Sequence, residues 1–187
     1  MSKQQQAPGD LELVRAFVNT VDMEQGEERL ESAAALAAWL IEHRLAPDGV
    51  RATPRDLEYA LELREALRAL LLSHNPQSPA PAAAVQALDA AARRARLRLR
   101  FDERATAVLE SEARGVDGAL GRLLAIVHAS IAQGTWSRLK ACREHTCEWA
   151  FYDHTKNRSG AWCNMGVCGN RAKARAYRER RAAPNAR

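Results

Sequence analysis

The sequence predicts a mainly α (α+β) protein in two parts: a helical N-terminal domain with a small β-hairpin over residues 1–134, and a small hairpin-and-helix module over 135–187. Three observations predict this. Apolar residues recur three or four apart through most of the first part, the period of amphipathic helices. One short stretch switches to alternation, the period of a half-buried strand. All four cysteines fall in the second part, whose own apolar stock is too thin for an independent core.

The elements follow in order. Leu11, Leu13, Val14, Phe17, Val18 and Val21 mark one face of a helix running from Asp10 to about Met23. Asn19 and Thr20, polar on that apolar helix, either line a pocket for a small-molecule effector or cap the helix C-terminus. Ser32 is placed to cap a second helix carrying Leu36, Trp39, Leu40 and Ile41. Ala46-Pro47-Asp48-Gly49 is a turn, because proline presets one dihedral and glycine permits positive φ. Thr53-Pro54-Arg55-Asp56 opens a third helix with a capping hydroxyl, proline at the first position and an acid in the first turn, and it should run to about Ser73. His74 to Pro81, with three prolines, is a loop, and alanine-rich Ala82 to Arg94 is helical. Leu97-Arg98-Leu99-Arg100-Phe101 alternates apolar and basic as a half-buried strand, with Ala107 to Glu110 as its hairpin partner. Asp117 should cap a last long helix through Leu120, Leu123, Leu124, Val127 and Ile131, which Gly134 ends.

A chain of 187 residues with 47% hydrophobic and 27% charged residues is not disordered wholesale. No stretch approaches the roughly 20 apolar residues that cross a membrane. The polar run Met1 to Asp10 does not read as a secretory signal. The expected setting is a reducing cytoplasm, where disulfides are rare.

The cysteines stand as Cys142-x4-Cys147 and Cys163-x4-Cys168. Two such pairs joined by a short connector match two turns that each give two thiolates to one tetrahedral Zn2+. A four-thiolate site leaves no open coordination position, so the expected zinc is single and structural. Zinc contributes roughly 10–16 kcal/mol to small modules of this kind, which need such a staple. Buried free thiols or two disulfides share the cysteine count, and His145 or His154 could replace one thiolate. Trp149 and Trp162 flank ligand positions and should shield the sulfurs. His43, His74 and His128 carry no evident role, and Glu62 and Glu65 read as solvated charges.

From residue 133 to 187 there are twelve Lys and Arg against four Asp and Glu, whereas the preceding part is mildly acidic. A helix starting at Cys168 and stopped by Pro184 puts Arg171, Arg175 and Arg178 on one stripe about 10 Å long. Lys173, Arg180 and Arg181 flank it, and Lys156 and Arg158 sit in the loop between the cysteine pairs. Phosphates are the natural partner of such a row, duplex DNA foremost, although RNA presents them too. Asn170 and Arg171 should also be partly architectural, with Arg171 reaching carbonyls near the cysteine turns. Lys173, Arg175 and Arg178 are the better phosphate contacts.

Residues 142–173 carry Cys142, Cys147-Glu148-Trp149-Ala150-Phe151-Tyr152-Asp153, Asn157-Arg158, Trp162-Cys163-Asn164-Met165 and Cys168-Gly169-Asn170-Arg171. This pattern closely resembles the CGNR zinc finger, which takes its name from that last run. Phe17-Val18-Asn19-Thr20-Val21 and Trp39-Leu40 give the N-terminal part a likeness to the ABATE domain that accompanies it. The resemblance implies a bacterial, stress-related transcription regulator whose finger binds DNA. Relatives carry further arginines where this chain has Ser159-Gly160-Ala161, which implies weaker phosphate binding by that loop and a larger share for the helix from Arg171.

Two functions therefore stand. In the first, a DNA-binding regulator presents its basic helix to the duplex. A homodimer is expected there, because one small finger rarely supplies a regulator's affinity. In the second, the finger is a protein–protein interaction module on a small-ligand-binding helical domain. Enzymatic chemistry is not expected: there is no glycine-rich phosphate loop, no helical metal-binding histidine pair and no nucleophile with an evident base.

Overall fold

A computed structural model describes residues 6–75 and 79–182. The order is α1 (Leu11–Val18), β1 (Val21–Asp22), β2 (Glu27–Glu28), α2 (Ala33–Glu42), α3 (Pro54–Ser73), α4 (Ala82–Arg94), β3 (Leu97–Phe101), β4 (Ala107–Ser111) and α5 (Gly115–Ala132). A 3-10 turn at Trp136–Arg138 leads to β5 (Leu139–Ala141) and β6 (Ala150–Tyr152), and a π-turn at Met165–Gly169 leads into α6 (Asn170–Ala182). The strands form three separate antiparallel hairpins, β1–β2, β3–β4 and β5–β6.

The helix starts follow their capping chemistry. Ser32 accepts from the Ala35 amide, and Thr53 and Asp56 close a reciprocal capping box with Pro54 in the first turn. Two boundaries differ from expectation. Helix α1 stops at Val18, with Asn19 as its C-cap, because the chain must turn there into β1. Helix α5 begins at Gly115 rather than at Asp117, whose carboxylate accepts from Arg94 at 2.7 and 3.1 Å. Of the loop expected at His74 to Pro81, residues 76–78 lie outside the described residues, as does Pro184.

Helix α5 is the centre of the body. It is long and apolar enough by composition alone to cross a membrane, but half of it is buried, and α1, α2, α3, α4 and β4 pack around it. Gly121 permits a close approach: a Cβ there would stand 2.7 Å from the Ala95 side chain and 2.8 Å from that of Ser111. The core joins Val14, Phe17, Leu36, Leu40, Leu63, Leu67 and Leu123 with Leu139, Ala141, Ala150 and Tyr152 of the β5–β6 hairpin. The C-terminal hairpin is thus built into the core of the helical part.

Charged residues are buried at the same seam. Arg68 is 2% exposed and donates to Glu65, to the Val18 carbonyl at 2.6 Å and to the Glu148 carbonyl at 2.9 Å. Arg64 donates to Glu28, Thr20 and Glu65. Glu65 is exposed, as expected of a solvated charge, and it also bridges the two buried arginines. At Glu28 burial raises the carboxyl pKa, but the hydrogen bonds from Arg64 and the Leu30 amide, with the Arg64 and Arg68 charges, together outweigh it and the net shift is downward.

The hairpin β3–β4 departs most from the sequence reading. Its register pairs Leu99 with Leu109 and Phe101 with Ala107, as the alternation requires. The apolar face is not buried, however: Leu99 is 57% and Phe101 69% exposed. Only the base of the hairpin, at Leu97 and Ser111, rests on the body.

Candidate metal centre

The cysteines are carried by two turns that tertiary contacts bring together. Strand β5 runs on into Cys142, whose amide donates to the Trp149 carbonyl, so the first pair sits on a continuation of the β5–β6 ladder. Between them the Cys147 and Glu148 amides both donate to the Glu144 carbonyl, which curls the turn toward its first cysteine. The second turn starts at Asn164, whose side-chain oxygen accepts from the Gly166 and Val167 amides at 2.8 and 3.2 Å. The Arg143 amide donates to the Ala161 carbonyl and ties the two turns to each other. Gly169 is required by contact, since a Cβ there would lie 2.4 Å from the Met165 sulfur and 2.6 Å from the Trp162 ring.

The four sulfurs lie within 4.8 Å of one another, with Cys147–Cys163 at 3.6 Å and Cys163–Cys168 at 3.7 Å. Zinc–sulfur bonds of about 2.3 Å in a tetrahedron give sulfur–sulfur edges of about 3.8 Å, so the cluster fits one such ion. Disulfide sulfurs sit at about 2.05 Å, and all four cysteines are free here. Crowding splits the thiol acidities. Hydrogen bonds from Cys147 and Cys163 hold Cys142 down at about 2. The hydrogen bond given to Cys142 pushes Cys147 up to about 12, and the same cause raises Cys163. Burial, then the Cys142 charge, raises Cys168. Protons alone thus leave one thiolate shared among thiols, and only a cation stabilises four. Cys142, Cys147, Cys163 and Cys168 would hold one structural zinc. His145 points away at 70% exposure beside Glu144, and His154 faces the Gln6 carbonyl, so neither belongs to the ligand group. Trp149 and Trp162 pack against the sulfurs.

Beside the metal site lies a buried ion pair that sequence reasoning missed. Lys140 and Asp153, 1% and 2% exposed, meet at 2.8 Å. Lys140 also donates to the Arg158 and Gly160 carbonyls, while Asp153 accepts from the Thr155 amide and hydroxyl and from the Gly160 amide. Burial pushes the Asp153 carboxyl up, but the hydrogen bonds from Lys140 and Thr155 outweigh it and hold it at about 2. This network fixes the loop that carries Lys156 and Arg158 outward, both exposed. The Asp-x-Thr spacing signals a local turn in the sequence. Nothing in the sequence names Lys140 as its partner.

The cations of the basic helix divide into two groups by their partners. Arg171 pairs with Glu24 of the β1–β2 turn at 2.6 Å, rather than with carbonyls of the cysteine turns. Asn170 holds the Gly166 carbonyl at 2.9 Å. Arg175 donates both guanidinium nitrogens to Glu144 at 3.1 Å, and Glu144 is only 3% exposed. Arg175 is thereby a brace between α6 and the first cysteine turn, not the free cation that its place on the stripe suggested. Lys173, Arg178, Arg180 and Arg181 remain exposed. Among the described residues Arg178 meets the Ala174 carbonyl at 3.4 Å, and Arg181 the Tyr177 hydroxyl at 3.5 Å.

Asn19 and Thr20 line no pocket of the kind expected. The Asn19 amide donates to the Ala150 carbonyl at 2.9 Å and accepts from the Ala150 amide at 2.7 Å, spending both its ends on β6. Thr20 donates to the Phe17 carbonyl and accepts from Arg64. His74, without a role in the sequence, meets the Leu139 carbonyl at 2.7 Å, which needs the proton on Nδ1, and burial lowers its pKa. Asn75 donates to the Ala141 carbonyl. The struts from Asn19, His74 and Asn75 could not be read from the chain, since each joins residues more than sixty positions apart.

Residues 11–135 match the ABATE family model, described as "Putative stress-induced transcription regulator", and residues 138–181 match the CGNR zinc finger model. No curated protein matches the chain. With the first model spanning more than half of its length and the four-sulfur cluster inside the second, the chain belongs to the ABATE family and carries a C-terminal CGNR zinc finger.

Proposed function

We propose that the protein is a non-enzymatic transcription regulator that binds duplex DNA through the exposed, unpaired cations of α6 and the loop at Lys156 and Arg158. The observation that carries this reading is the division of the basic helix. Arg171 and Arg175 are neutralised by Glu24 and Glu144, while Lys173, Arg178, Arg180 and Arg181 project outward with no acidic partner among the described residues. A rigid set of unpaired cations gains by neutralising phosphates and releasing their counterions. The metal site makes the set rigid, because the π-turn that carries Cys168 runs directly into α6. The structural zinc calls for a reducing compartment, in which thiolates persist. Residues 1–134 form the part that carries and orients the finger, residues 135–187 the part that touches DNA.

Fluorescence anisotropy with a labelled duplex across a salt series tests this. Each phosphate contact contributes a log–log salt slope of about −0.9. The variant Lys173→Ala/Arg178→Ala should bind more weakly and with a slope shallower by about 1.8. Absence of duplex affinity at low salt, or a slope that this variant leaves unchanged, overturns the proposal.

A further inference from the structure

We infer that the β3–β4 hairpin is a dimerisation arm: its apolar face docks into the groove beside the same hairpin on a second copy of this chain, reciprocally.

The arm has two chemically distinct faces. On one, Arg98 pairs with Glu112 and Arg100 with Glu110 across the strands, a satisfied solvent face. On the other stand Leu99, Phe101, Ala107 and Leu109, set together by the register. Side chains at a two-residue spacing belong to one face of a sheet, and an apolar set on that spacing is the mark of a face that is covered. Within one chain Leu109 is half-buried at the base of that face, but its outer part at Leu99 and Phe101 is not covered. Leu99 and Phe101 are among the most exposed large apolar side chains of the molecule, and an isolated two-stranded hairpin has little stability of its own in water. An apolar face on a protruding hairpin with both edges open points to a partner.

The groove that can receive it begins at the base of the arm. It measures about 550 Å³ and is lined by Leu45, Pro47, Leu109 and Ala119, with Arg114 and Arg122 among its polar side chains. The arm's tip carries Asp102, Glu103 and Arg104, one acid in excess, and the groove's charged lining, Arg114, Arg122 and Glu110, has one base in excess. Arm and groove are thus complementary in both polarity and charge. Because they adjoin on one surface, a two-fold axis lets each chain give its arm and receive the other, the closed arrangement that homodimers favour. This inference does not depend on DNA binding, since its readout is molecular mass.

Sedimentation velocity over a concentration series tests it. The wild-type chain should shift from monomer to dimer with rising concentration. The variant Leu99→Ser/Phe101→Ser should raise the dimer dissociation constant by more than about tenfold, the loss typical of apolar anchors. Both residues are exposed, so its melting temperature at low concentration should stay close to wild type. Glu103→Arg alone should weaken the dimer, and Glu103→Arg/Arg114→Glu within one chain should restore it, because both reciprocal contacts are repaired at once. A wild-type chain that stays monomeric, a dimer indifferent to Leu99 and Phe101, or a charge reversal that the second substitution does not repair overturns the inference.

Discussion

The helical body and the cysteine-bearing tail solve the same problem with different forces. In the body, α1, α2, α3 and α4 pack apolar faces around α5, and stability comes from area removed from water. In the tail, outside strands β5 and β6, the buried cluster consists of cysteines with Trp149 and Trp162 against them, and the remaining order comes from hydrogen bonds around Asp153 and Asn164. The lesson is in the seam. Hairpin β5–β6 is half of each solution: Leu139, Ala141, Ala150 and Tyr152 belong to the body's core, while Cys142 and Cys147 on the same hairpin belong to the metal. One side of the finger is therefore expected to survive loss of the ion, and the other is not.

Metal removal is the widest test of that contrast. Chelation, or Cys163→Ser, should abolish the order of the second turn and α6, with a cost approaching the roughly 10 kcal/mol that such sites supply, while the body keeps its cooperative unfolding. Hydrogen exchange would show it as protection lost after about residue 160 and retained in α5. Simultaneous loss of both breaks the comparison. Metal analysis should return one zinc per chain, and X-ray absorption should show sulfur alone at about 2.3 Å.

The buried pair comes next in size. Asp153→Asn leaves Lys140 charged and unpaired inside the protein, a loss of about 3–5 kcal/mol in denaturant midpoints. The pH dependence has a definite sign. Asp153 is held at about 2, below its unfolded value near 3.9, so its contribution is complete above pH 4 and is lost as pH falls toward 2. Wild type and Asp153→Asn should accordingly converge in stability as the pH approaches 2. A gap that is constant through that window would assign the cost to packing.

Asn19→Ala sharpens the seam itself. It strips Ala150 of both its side-chain partners, at about 1–3 kcal/mol, and should lower body and finger together because β6 serves both. If only the finger's zinc affinity falls, the two parts are less fused than the shared core implies. The smallest effect belongs to the body alone. Thr53→Ala removes a capping box at about 1 kcal/mol and should shift the melting temperature while leaving zinc affinity unchanged.

Much of the fold was legible because it is local. The caps at Ser32 and Thr53, the hairpin at Leu97–Phe101 and the paired cysteine spacings are each set by residues within a few positions of one another. The ends of α1 and α5 were less so, since Asn19 stops one helix while bonded to β6 and Asp117 is occupied by Arg94 instead of capping the other. Among the cations the chain shows only spacing. That Arg175 is spent on Glu144 while Arg178 remains exposed could not be inferred from a stripe that holds both at helical intervals.

By itself, then, the amino-acid order determined which segments are helical, that one hairpin alternates, and that four thiolates come in two matched pairs. These depend on dihedral preferences, capping and short-range periodicity, which act along the chain. The tertiary structure alone decided that the finger's hairpin sits in the body's core, that Asn19 is a strut and not a pocket wall, and which arginines face inward. Those outcomes depend on which distant groups meet once water is excluded, and a buried charge or amide keeps whatever partner the packing brings within reach.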